Sequence, residues 1–498
     1  MKQSKRSAIS QKLIRFTERA FFEYVLPRIE EKYPATIGKF FVILTSSVAY
    51  GIADKYSDLD IFVIFPEHKD YLKYHKKMQS LADSIEYPAN YYDICDKGIR
   101  FEFESFFKSD ILNIVKNQSD KNWLNQTEWL LCWFINSVAI YDPIEVFANI
   151  KKKLLFFPKK IVEIKANNGL ISVLKYRQIL SLTKDKYVFD VYYFKSLKKI
   201  MDLIFWSGGL YVPHPKWSFY LSKQVSSLGR RFHQRASLMV NDSEKNKILF
   251  IEKWINIIVN KYGDELCVDE RLMEYIINEY KHEIEKKYLV NNNFYFENYL
   301  DPIKKIDLIF AYLGKKILDK QYYLIEETGL NYKGKINYDK LLRRQDKYLL
   351  NHSGNYFPIN NSGIYKKVIL YLVFIIWRKI RVATKAPLRK NFLNQRWYNL
   401  QVFEHFIELL ARLEKRAFVH ENKQLEFLRS DRKFKKVADL LLKSLELSQE
   451  EKIKIYWECY DDLTKYILEN NILTEFQVRN PLIIQFDIEY WKYENVRL

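Results

Sequence analysis

Apolar residues in the first part of the chain follow two spacings, that of helices and that of buried strands. Residues 11–26 have apolar side chains at helical spacing, and Pro27 predicts the end of that helix. Residues 40–44 and 59–65 are short apolar runs typical of buried strands. Residues 68–85 return to helical spacing. The pattern therefore predicts strands alternating with helices.

Two further strands and a helix complete this region. Residues 91–94 and 99–103 are predicted to be strands joined by a turn at 95–98, and residues 123–140 form an apolar stretch that predicts a helix. The combination predicts an α/β (α+β) head with a small mixed sheet.

Beyond residue 150 the apolar spacing is almost wholly helical, which predicts a large all-α region. The polar, glycine-containing stretch 351–363 suggests a loop or a domain boundary. We therefore expect three domains: a head at residues 1–150, a helical domain at 151–350 and a basic helical domain at 351–498.

The spacing of the cysteines and the length of the apolar runs indicate the cellular compartment of the protein. The four cysteines are far apart, which argues against a zinc site or a disulfide scaffold and favours a reducing cytoplasm. They are Cys95, Cys132, Cys267 and Cys459. The longest apolar run, residues 368–377, is about half of what a membrane span requires, so it predicts a buried helix. We expect a cytoplasmic protein that does not contact a membrane.

The formal net charge of +20 is unevenly distributed. Residues 1–150 hold 19 Lys or Arg and 20 Asp or Glu, whereas residues 151–498 hold 62 basic and 41 acidic residues. Residues 351–400 contain nine basic residues and no acidic one. Such a surface attracts RNA, DNA or triphosphate, although a composition biased towards Lys, Asn, Ile, Tyr and Phe is the stronger explanation of the charge and needs no binding role.

One local pattern carries the chemistry. The predicted strand ending at Leu44 is followed by a turn of small residues whose backbone and Ser47 hydroxyl would contact a phosphate. Gly51 allows the chain to turn back towards the next strand. Asp58 and Asp60 are two apart on that strand, so both carboxylates project from the same face. Two carboxylates beside a phosphate site suit Mg²⁺.

These residues resemble the signature of the DNA polymerase β-like nucleotidyltransferase superfamily, which is Gly-Ser, a spacer of about ten residues, and Asp-x-Asp or Asp-x-Glu. The family's serine corresponds to Ser47, and its acids correspond to Asp58 and Asp60. Ser46 stands where the family usually has glycine, and so adds a Cβ near the phosphates. The resemblance implies that Ser46, Ser47 and Gly51 bind the nucleotide.

The resemblance also implies a third carboxylate from a later strand. Alternation in residues 99–105 puts Glu102 and Glu104 on one face. Glu102 is favoured because it is nearer the middle of the strand, and Glu104 and Asp93 are alternatives. A solvated strand face explains the two glutamates almost as well.

The implied reaction is magnesium-dependent nucleotidyl transfer. Two Mg²⁺ ions held by Asp58, Asp60 and Glu102 are expected, with an NTP, most simply ATP, as substrate. The third acid helps to deprotonate an acceptor hydroxyl, which attacks the α-phosphate in line, and pyrophosphate leaves.

The acceptor is left open by the sequence. A small-molecule hydroxyl is favoured slightly, because a head with a helical second domain resembles antibiotic-modifying members of the superfamily. The charge asymmetry favours RNA instead, as in tailing or blocking of a 3′ end. A non-catalytic family member is the third alternative, suggested by Ser46 and the unsettled third acid.

Two other segments have competing interpretations. Residues 205–217 are rich in aromatics, Gly and Pro; either Lys216 or His214 reaches a substrate phosphate, or the segment is a tight turn packed by Tyr211 and Trp217. Residues 377–390 carry six basic residues, which fit either a nucleic-acid-binding stripe or a solvated helix end followed by a loop.

Overall fold

The computed structural model describes residues 7–54, 57, 59–83, 101–107, 128–155, 157–262, 362–414 and 421–479, and of residues 101–107 it describes the backbone. Of the predicted elements, the strand at 91–94 lies outside these residues, as do Asp58 and Asp93. No described helix combines the length and the apolar character that a membrane span requires.

The head contains four strands and six short or medium helices among its described elements. The strands are β1 (Phe41–Leu44), β2 (Leu59–Phe65), β3 (Phe101–Phe107) and β4 (Val138–Tyr141). The α-helices are α1 (Ala8–Ala20), α2 (Leu26–Lys32), α3 (Ser46–Ala49), α4 (His68–Asp83), α5 (Glu128–Asn136) and α6 (Val146–Leu154). A π-helical turn (Phe21–Val25) joins α1 to α2, and a 3₁₀ turn (Pro34–Thr36) follows α2.

All described elements after α6 are helices. They are α7 (Lys159–Leu182), α8 (Lys186–Ser207), α9 (Pro215–Val225), α10 (Ser227–Met239), α11 (Glu244–Tyr262), α12 (Ser362–Leu388), α13 (Phe392–Leu413), α14 (Glu421–Ser430), α15 (Lys435–Ser444), α16 (Gln449–Glu469) and α17 (Glu475–Arg479). The predicted fold class, an α/β head followed by a helical region, is confirmed.

The sheet has the order β3-β2-β1-β4 and is mixed, as predicted. β1 pairs antiparallel with β2 and with β4, whereas β3 runs parallel to β2. Leu44 is level with Ile61 in the first pair, so the end of β1 lies beside the start of β2.

Two helix boundaries differ from the sequence prediction. The helix predicted to end at Pro27 continues, because Pro27 occupies the first turn of α2, where the missing N–H has no intrahelical partner to lose. The helix predicted over 123–140 ends at Asn136, and its last part forms β4. Apolar residues such as Val138 and Ile140 fit a strand as well as a helix, and pairing with β1 decides between them.

Both faces of the sheet are covered by helices, which explains the apolar strands. On one face Leu44, Leu59 and Ile61 share a core with Leu13 and Phe16 of α1. On the other face Phe62 packs on Trp133 of α5, with ring centroids 5.4 Å apart, and Phe41 packs on Phe147 of α6 at 6.0 Å. Strands buried on both faces lose the polar alternation that marks half-exposed sheets.

The chain divides into two compact units, Met1–Ala166 with Met201–Arg231, and Asn167–Ile200 with Phe232–Leu498. The prediction of three domains stays a prediction. Within the second unit, the apolar run in α12 is buried from residue 369 to 376, so the predicted buried helix is confirmed. Phe194 stacks near Trp397 of α13 there, with centroids 6.5 Å apart.

Candidate active site

The turn after β1 has an unusual backbone. Ser46 has φ 57°, in the left-handed region that favours glycine, and Gly51 has φ 79°. The backbone N–H of Tyr50 donates to the Ser46 carbonyl at 2.9 Å, and the N–H of Ile52 donates to the Ser47 carbonyl at 3.0 Å. Gly51 therefore makes the predicted reversal of the chain, and both serines lie buried inside the turn.

Hydrogen bonds connect this turn to the second strand. The backbone N–H of Thr45 donates to the Asp60 carbonyl at 2.9 Å, and the Thr45 hydroxyl donates to the same oxygen at 3.2 Å. The residue that precedes the two serines is thus joined directly to Asp60. The structure brings together the turn and one of the two predicted catalytic acids.

Asp60 is the one residue of β2 that is not buried. It lies on the same face as Phe62, two positions along the strand, and this is the face that packs against α5. Ser57, just before β2, closes the spacer loop by hydrogen bonds with Asp54, including Oγ to Oδ1 at 3.1 Å. Asp58, the other predicted acid, is outside the described residues.

The parallel pair β2–β3 gives the positions of the third-carboxylate candidates along the sheet. Glu102 is level with Asp60, and Glu104 is level with Phe62. The backbone register therefore favours Glu102 over Glu104 as the partner of Asp60. The assignment stays a prediction, because the register concerns the main chain alone.

The donor set fits a hard cation. Carboxylate oxygens are the ligands that Mg²⁺ prefers, and the half-buried Asp60 supplies a carboxylate beside a small-residue turn. Among the residues with described side chains, no three of His, Cys, Asp or Glu lie close enough to hold a metal ion. Asp58 and the Glu102 side chain are outside that set.

The start of α1 supports the far end of the turn. The backbone N–H of Ser7 donates to the Gly51 carbonyl at 3.0 Å, and that of Ala53 donates to Ser10 Oγ at 3.0 Å. Ser7 Oγ in turn caps α1 by accepting from the Ser10 backbone at 3.1 Å. No pattern in the sequence indicated this support.

Tyr50 and Cys132 form a buried polar contact behind the turn. The Tyr50 hydroxyl donates to Cys132 Sγ at 3.7 Å, and Asn136 Nδ2 lies 3.6 Å from the same sulfur. Burial raises the pKa of Cys132 to about 12 and raises the pKa of Tyr50 well above its usual value, with Cys132 adding to the second shift. Cys132 is therefore a neutral thiol at physiological pH and is unsuited to act as a nucleophile.

The aromatic segment 205–217 packs against the motif. Trp217 Nε1 donates to Ser46 Oγ at 3.2 Å, and both residues are buried. His214 is also buried: its ring stacks on Trp133 at 5.6 Å, and its Nδ1 accepts the Lys216 N–H at the start of α9. Of the two interpretations of this segment, the packed turn describes His214. Neither interpretation predicted the contact between Trp217 and Ser46.

A single carboxylate anchors this segment. Glu128, mostly buried at the start of α5, accepts hydrogen bonds from Trp206 Nε1 at 2.8 Å, the Val212 N–H at 2.7 Å and Lys165 Nζ at 2.7 Å. Glu128 is the one acidic residue in the largely apolar sequence of α5, and this was a usable signal that the sequence prediction missed.

Comparison with known families identifies the class of this domain. Residues 23–166 match the family model described as the nucleotidyltransferase domain, and this part of the chain is a nucleotidyltransferase domain of the DNA polymerase β-like superfamily. The predicted resemblance is confirmed. The match implies transfer of a nucleoside monophosphate from an NTP. A search of curated proteins found no match to the chain.

Proposed function

We propose that the protein transfers AMP from ATP to a hydroxyl group of a small molecule, using Asp58, Asp60 and Glu102. The observation that carries this proposal is the attachment of Thr45 to the Asp60 carbonyl, which keeps the half-buried Asp60 beside the buried serine turn. A triphosphate needs hydrogen-bond donors on one side and metal-binding carboxylates on the other, and this arrangement offers both.

Each residue has a separate task in the proposed reaction. Two Mg²⁺ ions held by the three acids would neutralise charge on the triphosphate and orient it. The Ser47 hydroxyl and the turn backbone donate hydrogen bonds to phosphate oxygens. The acceptor oxygen forms a bond to the α-phosphorus while the bond from that phosphorus to the bridging oxygen breaks. Glu102 accepts the hydroxyl proton, and pyrophosphate leaves.

The acceptor class is tested by incubating the protein with each α-³²P-labelled NTP, Mg²⁺ and cell extract fractionated into small molecules, RNA and protein. We expect label from ATP in the small-molecule fraction. Label confined to RNA would overturn the choice of acceptor, and absence of transfer with every NTP and every fraction would favour the non-catalytic alternative.

The site is tested by Asp60→Asn and Asp58→Asn. Each is expected to lower kcat on the order of a thousandfold, because metal placement is lost while side-chain volume is kept. Glu67→Gln is the matched control, since Glu67 is an exposed acid just after the same strand. Unchanged thermal unfolding of the Asn variants would separate catalytic loss from misfolding, and near-wild-type kcat in either would mean that the acids are misassigned.

An RNA acceptor is the second candidate, and a specific feature of the first unit favours it. Residues 203–231 contain no Asp or Glu but four basic residues. This stretch includes α9, which contacts the motif through Trp217, and then Arg230 and Arg231, both exposed on α10. A basic helix that follows directly from the site would bind the backbone of a polyanionic acceptor.

A further inference from the structure

Ser46 is the strained position of the site. Among the described residues four non-glycine residues have positive φ, and three of them, Glu145, Lys390 and Asn471, are exposed. Ser46 alone of these four is buried, with 4% of its surface exposed. A serine stays in the left-handed region only where surrounding contacts hold it there, so the contacts of Ser46 should explain its conformation.

The side-chain contact of Ser46 has a fixed direction. The indole of Trp217 has one N–H donor and no acceptor, so in their 3.2 Å hydrogen bond the Ser46 oxygen must be the acceptor. Trp217 is itself held at the start of α9, where its backbone N–H donates to the His214 carbonyl at 2.8 Å. His214 in turn lies against two tryptophans, Trp129 and Trp133.

We propose that Trp217 is a positioning residue for nucleotide binding, which holds Ser46 in its left-handed conformation and so fixes the turn that carries Ser47 beside Asp60. The chain thereby tolerates a serine at a position where glycine would need no support. This inference rests on the proposed function, in which the turn binds the triphosphate.

Three substitutions separate the contributions of the bond and of the strain. Trp217→Phe removes the donor and keeps most of the packing. Ser46→Ala removes the acceptor and keeps the Cβ. Ser46→Gly removes the acceptor and also the Cβ, which is the cause of the backbone strain. We expect Trp217→Phe and Ser46→Ala each to raise the KM for the NTP about tenfold, the effect of one lost hydrogen bond in a buried site, with a smaller change in kcat.

The combinations give the decisive result. Because both single changes remove the same bond, the double variant Ser46→Ala/Trp217→Phe is expected to match either single variant instead of multiplying their effects. In the Ser46→Gly background Trp217→Phe should leave KM unchanged within about twofold, since glycine adopts the left-handed φ unaided. Multiplicative effects, or an equal effect of Trp217→Phe in both backgrounds, would overturn the inference.

The control and a second readout keep this outcome distinct from the proposed function. Trp254→Phe makes the same change at a buried tryptophan whose indole nitrogen has no hydrogen-bond partner among the described residues; it should leave KM unchanged. Hydrogen exchange of a peptide covering residues 45–51 is expected to be faster in Trp217→Phe and Ser46→Ala than in wild type and Ser46→Gly. If the two variants exchange faster but the wild type shows no NTP turnover, the positioning role is retained and the proposed function is rejected. If the wild type turns over NTP but the variants leave KM and exchange unchanged, the positioning role alone is rejected.

Discussion

At the scale of single residues, burial separates the polar groups of the head into two kinds. Asp60 is half-buried on a strand that is otherwise fully buried, whereas Tyr50 and Cys132 contact each other in the interior. Groups of the second kind stay neutral, because burial penalises their charged forms. They lie behind the turn, whereas the proposed reaction uses the carboxylates.

The buried thiol of Cys132 predicts a pH dependence of stability. Its pKa is about 12 in the folded protein against an ordinary value of 9.0, so between these values the unfolded chain releases a proton that the folded chain keeps. The stabilising contribution is complete below pH 9 and is lost as pH rises towards 12, at about 1.4 kcal/mol per pH unit.

The measurement is urea unfolding of wild type and Cys132→Ser between pH 8.5 and 11, a range set by the onset of that loss. A serine hydroxyl keeps a polar partner for Tyr50 but does not ionise in this range. The free energy of unfolding should fall less steeply with pH in the variant. Parallel curves would contradict a raised pKa for the thiol.

At the scale of secondary-structure elements, Glu128 joins α5 to three other parts of the first unit. It accepts from Lys165 on α7, from Trp206 near the end of α8, and from the backbone at Val212. The side chains of Glu128 and Lys165 are only 12% and 16% exposed. A carboxylate that satisfies three donors in such a place is costly to replace.

Glu128→Gln is expected to lower the free energy of unfolding by about 2–4 kcal/mol, because the amide offers one acceptor oxygen and turns an NH₂ group towards existing donors. Chemical denaturation measures this loss, with the exposed Glu67→Gln as the control that should change stability by less than about 0.5 kcal/mol. A Glu128 variant as stable as that control would show that the three hydrogen bonds contribute little.

The sequence predicted well those elements whose apolar spacing fits a strand or a helix but not both. β1 and β2 are continuous apolar runs next to turn residues, and both lie where they were predicted within one residue. The stretch 123–140 failed because α5 and β4 are both apolar and adjacent, so periodicity could not divide them. Of the strand predicted at 99–103, the described residues belong to β3, which continues to Phe107.

The site was predictable only where its residues are close in sequence. The serines and Asp60 belong to one short motif whose spacing carries the predicted chemistry. Trp217 is separated from Ser46 by 171 positions, and its indole contact depends on how α9 packs. Local propensity contains no information about such a contact, although the density of aromatics around Trp217 marked the segment as unusual.

At the scale of the whole molecule, charge is the property that distinguishes the two candidate acceptors. The first 150 residues are nearly neutral, and the excess of basic residues lies in the rest of the chain. A small acceptor needs no such excess, whereas a polynucleotide would displace counterions as it binds these groups.

Salt dependence of RNA binding tests this reading. If RNA is the acceptor, the double variant Arg230→Ala/Arg231→Ala should weaken binding and reduce the slope of log K against log salt by about 1 to 2, one contact for each lost arginine. Lys152→Ala/Lys153→Ala is the matched control, because it removes the same charge from exposed positions on α6. Equal effects of the two pairs, or no affinity at low salt, would leave the small-molecule acceptor as the better candidate.

The two hydrogen bonds from Thr45 to the Asp60 carbonyl help to set the register of β2 against β1. Side chains alternate along β2, so a shift of one position against β1 would turn the aspartate towards α1. Since both faces of the strand meet apolar helices, hydrophobicity discriminates weakly between the two alignments. The Thr45 hydroxyl thus favours the correct register of β2 against β1. It disfavours a shifted sheet that would be compact but inactive.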